Sequence, residues 1–404
     1  MTAALEASTR SDEARFFELD ILRGLAAYLV IVFHYKHFLL NDAASFDYTH
    51  LPFHTLLAPV YVYGQYFVEL FFSISGYVFF WLYADAIAEG RMGLRRFAVA
   101  RLARLYPLYF VTFIAAALGQ GLFHALYGTT FIYVHNTPGN FLLNLFMVQQ
   151  WVSHAEMTFN GPSWSISVEI FLYAVFFFVA YTRLNRPLSL VAIVVVGLLF
   201  RYAQHDPTSD FSRGVPSFFL GGLAFYAVRY LNGAGREVWR RGLDTTLKWS
   251  LPALWLLTYV RAQPLVWPLI SRDLHLGPPI KFLNSLTVEG FVYGLFPLTL
   301  LALGLRRENW RHPWLSLESL RRFAWVGDMS YSIYLIHFPL QLALMLVIQH
   351  WAWPQRVAIF ASPLMFIAFF AMATGLARLS FVYLEMPMRT WLKRMLSGPR
   401  QNPM

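Results

Sequence analysis

The sequence predicts an all-α, polytopic membrane protein with about ten transmembrane helices and both termini in the cytoplasm. Three observations predict it. Of 404 residues, 57% are hydrophobic and only 13% charged, about half the charged share of a soluble domain. Apolar stretches long enough to cross a bilayer, about 17–25 residues each, recur along the whole chain. Basic residues cluster between alternate stretches, as a positive-inside topology requires.

In order, the spans fall at 19–40, 60–83, 106–126, 163–182, 187–203, 214–231, 247–261, 283–305, 325–349 and 357–383. The polar N-terminus, Met1 to Phe17, shows no cleavage pattern, so the first span reads as an uncleaved start-transfer helix. An eleventh apolar stretch, Phe141 to Trp151, is about half as long and carries Asn144, Gln149 and Gln150. Basic clusters lie at Arg10/Arg15, Arg91/Arg95/Arg96/Arg101/Arg104, Arg183/Arg186, Arg229/Arg236/Arg240/Arg241/Lys248, Arg306/Arg307/Arg311/Arg321/Arg322 and Arg389/Lys393/Arg394/Arg400. The stretch from Tyr127 to Ser163 holds no Lys or Arg. All clusters reach one side only if 141–151 does not cross, so it is expected to be re-entrant or to lie on the outer surface. The outer connections are then 41–59, 127–162, 204–213, 262–282 and 350–356. The longest, 127–162, has the size of a site-bearing loop.

The net charge of +10 is explained by these topology-setting arginines, and no nucleic-acid partner is expected. The chain has no cysteine, which excludes disulfides, a thiol nucleophile and thiolate metal sites. Short tails and loops leave no room for a separate soluble domain. One membrane domain is expected over 1–394, followed by a short cytoplasmic tail at 395–404.

Arg23 and His34 carry the strongest functional signal. Both lie within the first apolar run, eleven residues apart, which on a helix is about 16 Å and close to three turns. They therefore share a face. A cation and an imidazole in hydrocarbon are costly unless they face a protein interior or a wet cavity. His34 is placed near mid-membrane and Arg23 nearer one surface. Glu69, Ser73 and Gly76 share a face of the second span, and the nearest partner for Glu69 along the chain is His34 or Arg23. The alternative reading of this stretch is helix packing through small residues and a hydrogen-bonding acid.

Trp164, Ser165 and Glu169 lie at the outer mouth of the fourth span, with Pro162 and Ser163 suited to start the helix. An interfacial Trp and a helix-start carboxylate are the structural alternative. His337 lies deep in the ninth span and shares a face with Ser330 and Tyr334. Arg101 and Arg104 form an R-x-x-R step before the third span, able to grip phosphate with forked hydrogen bonds or simply to set topology. The outer histidines His50, His54, His135 and His154 form no zinc-like spacing, and no metal is expected. Gly221 and Gly222 inside an apolar span are read as packing residues.

Six stretches together resemble the acyltransferase family 3 membrane proteins, which O-acylate bacterial surface carbohydrates and some secondary metabolites. LDILRGLAAYLVIVFH resembles the first-span signature of an arginine followed eleven residues later by a histidine, here Arg23 and His34. YFVELFFSISGY carries Glu69 where the family usually has an acid, and RFAVARLARLYPLY matches its basic segment with Arg101 and Arg104. PSWSISVEIFLY matches the W-S-x-x-V-E stretch through Trp164, Ser165 and Glu169. GDMSYSIYLIHFPL and YLEMPMRTWLKR resemble the last two blocks. The matches keep their order over residues 19 to 394. Family members often have a second acid after Glu169, where this chain has Ile170. Some carry a fused esterase-like domain, absent here.

The resemblance implies a multi-pass enzyme of the bacterial inner membrane. It would move an acyl group, most often acetyl, from cytosolic acyl-CoA, a co-substrate rather than a resident cofactor, to a carbohydrate or lipid-linked glycan hydroxyl. Polysaccharide-assembly proteins are candidate partners. In this reading His34 is the general base for direct transfer, a covalent acyl-histidine relay being the alternative; Glu69 orients or charge-balances it, and Glu169 contacts the sugar. Arg23, Arg101 and Arg104 hold the donor, with Trp164, Ser165 and His337 completing the substrate site. The rival class is a proton-coupled transporter or exporter of a lipid-linked sugar, since buried His, Arg and Glu also fit a proton relay. A purely structural scaffold would leave the buried charges unexplained.

Overall fold

The computed structural model describes residues 16–40, 48–152, 156–203, 210–263, 289–306 and 317–397. Among them the regular structure is entirely helical. The expectations that fall on Arg10, Arg15, His154, Arg307, Arg311, Arg400 and most of the 262–282 connection lie outside the described residues. The last described helix runs to Ser397.

The first helix, α1, spans Phe17–Tyr35 and tightens into a 3₁₀ turn at Lys36–Leu39. Next come α2 (His54–Tyr63) and α3 (Phe67–Phe79), the latter prolonged through a π turn at Phe80–Ala84. Helix α4 (Leu94–Tyr127) absorbs the basic segment and the third span into one rod, about 51 Å long at 1.5 Å per residue. It stops at Gly128, whose φ of 72° is the left-handed C-cap conformation. Helix α5 (Pro138–Leu145) has only eight residues, about 12 Å, too short to cross. Then follow α6 (Trp164–Tyr181), α7 (Pro187–Ala203), α8 (Asp210–Leu231) and α9 (Glu237–Arg261). The second half comprises α10 (Phe296–Arg306), α11 (Leu317–Asp328), α12 (Ser330–Ile348), α13 (Trp353–Phe360), α14 (Pro363–Ser380) and α15 (Met386–Ser397).

Five described helical stretches are long and apolar enough to cross a membrane: His54–Ala88, Leu94–Tyr127, Gly161–Tyr181, Ser330–Ile348 and Pro363–Leu396. Pro187–Ala203 and Gly290–Arg306 are apolar but shorter. The chain is a multi-pass membrane protein on this pattern. Helices also cover the expected spans at 19–40, 214–231 and 247–261, although α1 and α8 carry charged side chains such as Asp20, Arg23 and Arg213.

One buried core gathers α3, α6, α8 and α10; a second gathers the far end of α1 with α12 and α14. Helices α3 and α8 meet backbone to backbone. A Cβ on Gly76 would lie 1.8 Å from the Phe218 carbonyl oxygen, and one on Gly221 would lie 1.9 Å from that of Ser73. Small residues permit such crossings, as expected for Gly221. Side-chain amides pin the connection that follows α4. Gln120 accepts from Phe131 N at 2.9 Å and donates to Phe131 O at 2.8 Å, and Asn144 Nδ2 donates to Thr158 at 2.8 Å.

Gly221→Ala is expected to force α3 and α8 apart and to lower stability by about 1–3 kcal/mol, the usual cost of overpacking. Thermal unfolding of the detergent-purified protein reads this directly; an unchanged Tm would contradict the crossing.

Candidate active site

Helix α1 delivers Arg23 and His34 to two different places, because the three turns between them run through the bundle. Arg23 lines a cleft of about 850 Å³, counted with its open mouth, together with Ser75, Tyr83, Arg101, Arg104, Ser165, Glu169, Tyr173, Tyr331 and Tyr334. Arg101 donates from Nη2 to the Tyr83 hydroxyl at 3.0 Å and lies over the Phe79 and Tyr83 rings. Arg23, Arg104 and Tyr331 also line a second cleft beside the first, where Asp20, Glu385 and Arg389 join them. Arg23 pairs with Asp20 at 3.6 Å. The π turn at Phe80–Ala84 supplies Leu82 and Tyr83 to the first cleft, and one at Phe381–Glu385 supplies both its ends to the second. Such turns recur at functional sites because the extra residue re-aims side chains.

Glu169 lies in this arginine-lined cleft, and not apart from it at an outer mouth. Its Oε1 accepts from the Tyr173 hydroxyl one turn on and from Ser75 Oγ at 3.5 Å. The expected donor residues Arg23, Arg101 and Arg104 thus share one cleft with Glu169 and Ser165. Ser165 Oγ donates to the Tyr334 hydroxyl at 2.9 Å, and that hydroxyl donates to Pro162 O at 2.6 Å. These bonds tie the start of α6 to α12. Ser163 stands at the N-cap position, but its side chain does not cap the helix; instead its carbonyl accepts from Gln149 Nε2 at 3.1 Å.

Behind Tyr334 lies an imidazole pair. His337 Nε2 and His34 Nδ1 are 3.1 Å apart, with the ring centroids 4.9 Å apart and nearly parallel. His337 Nδ1 lies 2.5 Å from the Tyr334 carbonyl oxygen. One turn beyond, Gln341 Nε2 donates to the His34 carbonyl at 2.8 Å. A third ring, His37, stands 5.0 Å from His34 and is itself edge-on to Tyr133 of the connection that follows α4. His34 is 9% exposed and His337 fully buried.

Glu69 corrects the expectation made for it. Its Oε1 accepts from Arg213 Nε at 2.5 Å, not from His34 or Arg23. The reason is that α8 begins at Asp210, so Arg213 belongs to the bundle and not to an outer loop. Trp164 likewise stacks on Arg213, its ring centroid 5.2 Å from the guanidinium carbon. His135 is engaged by Glu156 at 2.6 Å. Arg213, His37, Gln341, Tyr173 and Arg389 were not singled out from the sequence. Gln341 and His37 could have been: each sits on the same helical face as a flagged histidine, four residues from His337 and three from His34.

A family model described as an acyltransferase domain matches residues 16–380. The chain belongs to acyltransferase family 3. It is therefore an acyltransferase, which answers the choice between enzyme and transporter. The chain is 29% identical over 210 residues to "Protein 2 in picA locus" of Rhizobium radiobacter, covering 48% of this chain and 99% of that protein. It is 28% identical over 178 residues to "Acyltransferase MdmB" of Streptomyces mycarofaciens, covering 40% of this chain and only 42% of that protein. No solved structure matches.

Removing one member of a buried ion pair strands the other charge, at about 3–5 kcal/mol. Glu69→Leu alone should therefore lose folded yield, and Glu69→Leu with Arg213→Leu should recover much of it. Size-exclusion profiles of the single and double variants at equal expression test this; a well-folded single variant would deny the pair its structural role.

Proposed function

We propose that the protein moves an acyl group, acetyl in the simplest case, from cytosolic acyl-CoA to a hydroxyl of a cell-surface or lipid-linked carbohydrate at the bacterial inner membrane. The observation that carries this reading is continuity. One cleft holds three arginines, and two of its other lining residues, Ser165 and Tyr334, are hydrogen-bonded to each other, Tyr334 lying on α12 with His337, the partner of His34.

Arg101, Arg104 and Arg23 suit the phosphates of the donor, since guanidinium forks match phosphate geometry. Glu169, fixed by Tyr173 and Ser75, sets the charge and orientation of those arginines in place of the sugar contact read from the sequence. The thioester end then points toward Tyr334. His34 is the general base: imidazole changes protonation near neutral pH. The acceptor oxygen attacks the thioester carbonyl carbon while His34 takes its proton. As the C–S bond breaks, the same proton passes to the departing sulfur, so CoA leaves as the free thiol and the imidazole is restored. The acceptor approaches His34 from the opposite side, past His37 and Tyr133. The bilayer, acyl-CoA and the glycan are the partners this scheme requires, with polysaccharide-assembly proteins as suppliers of the acceptor.

Acceptor-dependent thiol release from acetyl-CoA should be abolished by His34→Ala at equal expression. Arg104→Gln should raise KM for acetyl-CoA about tenfold with kcat little changed, the signature of lost ground-state binding. Full activity in His34→Ala would overturn the assignment.

The scheme also places ten spans with both termini in the cytoplasm, where the arginine side of the cleft meets CoA. Reporter fusions at the two termini should both read cytoplasmic; an extracytoplasmic C-terminus would overturn the topology.

A further inference from the structure

The hydrogen-bond directions around His337 determine which nitrogen of His34 is free to react, a step that rests on His34 being the base. A carbonyl oxygen can only accept. The Tyr334 carbonyl lies 2.5 Å from His337 Nδ1, so that nitrogen carries the proton. In a neutral imidazole the other nitrogen then offers only a lone pair. His337 Nε2, 3.1 Å from His34 Nδ1, is therefore the acceptor, and His34 Nδ1 must donate. The single proton of neutral His34 is thereby committed. Its Nε2 keeps a lone pair, and the residue retains 9% exposure. The reverse polarity would need a doubly protonated His337. That ring is fully buried, with no carboxylate bonded to it, and a cation there would be costly.

We propose that His337 is a positioning residue that locks His34 in the Nδ1–H tautomer, aims Nε2 at the acceptor hydroxyl, and stabilises the imidazolium as it forms. This replaces the substrate-binding role read for it from the sequence. The surroundings fit a device built to hold one geometry. His337 and Gln341 lie one turn apart on α12 and grip His34 twice, by ring and by carbonyl. Pro339 leaves the Leu335 carbonyl without its usual i+4 donor, and Asn160 Nδ2 fills the place at 3.2 Å. Tyr334, whose carbonyl sets the His337 tautomer, is itself clamped to α6 through Ser165 and Pro162. The orientation of one imidazole is thus specified by three elements: α1, α12 and the turn before α6.

Two substitutions separate positioning from packing. His337→Leu fills the space without an acceptor, while His337→Gln restores an amide oxygen that can accept from His34 Nδ1–H. With the full-length protein in nanodiscs, acetyl-CoA and the acceptor-bearing membrane fraction, His337→Leu should lower kcat about 10²-fold, the scale of lost orientation. KM for acetyl-CoA should stay within about twofold. His337→Gln should recover at least about tenfold of that loss. Nitrogen-15 NMR of histidine-labelled wild type, with the His34 signals assigned by their loss in His34→Ala, should show Nδ1 protonated and Nε2 bare. This last measurement decides even if the Leu variant does not fold. A proton found on His34 Nε2, or wild-type kcat in a folded His337→Leu protein with His34→Ala inactive, overturns the proposal. Activity surviving in His34→Ala would instead overturn the base assignment on which it rests.

Discussion

Hydrocarbon offers no partner to a polar side chain, so every such group on these helices must be met by another part of the chain. That cost decides which helices are neighbours. Glu69 of α3 meets Arg213 of α8 at 2.5 Å; Arg201 of α7 meets Glu289 at 2.9 Å; His34 of α1 meets His337 and Gln341 of α12. Such pairs do little for net stability, because desolvation offsets attraction. They act by making wrong pairings expensive. The glycine crossing serves the same end. Glu69 and Arg213 each lie about two turns before the glycine of their own helix. A Cβ on Gly214 would approach Phe72 and one on Gly222 would approach Phe80, so α3 and α8 run in the same direction. The close crossing then brings the two charges to the same depth.

The division of labour along α1 follows from the same constraint. Its buried positions between Arg23 and His34, including Ala26, Ala27, Val30 and Ile31, are small or aliphatic and tightly packed. Polar chemistry is thereby confined to the two ends of the helix. The arginine end opens to clefts shared with Arg104 and Arg389; the imidazole end closes into a packed pair. Phosphate recognition and acyl chemistry would compete if adjacent, since a guanidinium beside the imidazole would disfavour the cation that a base must become. About 16 Å of helix keeps them apart.

Much of this was legible in the sequence because it depends on local periodicity. The apolar runs gave the helices, and the eleven-residue step placed Arg23 and His34 on one face. The parity of basic clusters kept Phe141–Trp151 from being counted as a crossing, and the structure has only an eight-residue helix there. What periodicity does not carry is the partner of a face. His34 and His337 each stood out, but 303 positions separate them. Glu69 was assigned to its nearest neighbours in sequence and went to a residue 144 positions on, because the start of α8 was read as loop. The neighbours of Glu169 are hidden for a related reason. Counted along α6 it is a helix-start residue, yet Ser75 and Tyr173 draw its carboxylate toward the arginine cleft.

In the proposed scheme, the placement of Glu169 also bears on how two substrates from opposite sides would avoid wasteful hydrolysis. A carboxylate at the outer mouth could have helped bind sugar, but it would also have held water there. Turned inward, it is satisfied by Tyr173 and Ser75. Beyond His37 stands Tyr133, whose ring packs on Phe338 and His37. That connection has no backbone slack at this point. Gln120 holds Phe131 by both its N–H and its carbonyl, Ile132 takes a left-handed φ of 62°, and a Cβ on Gly161 would strike the Tyr133 ring.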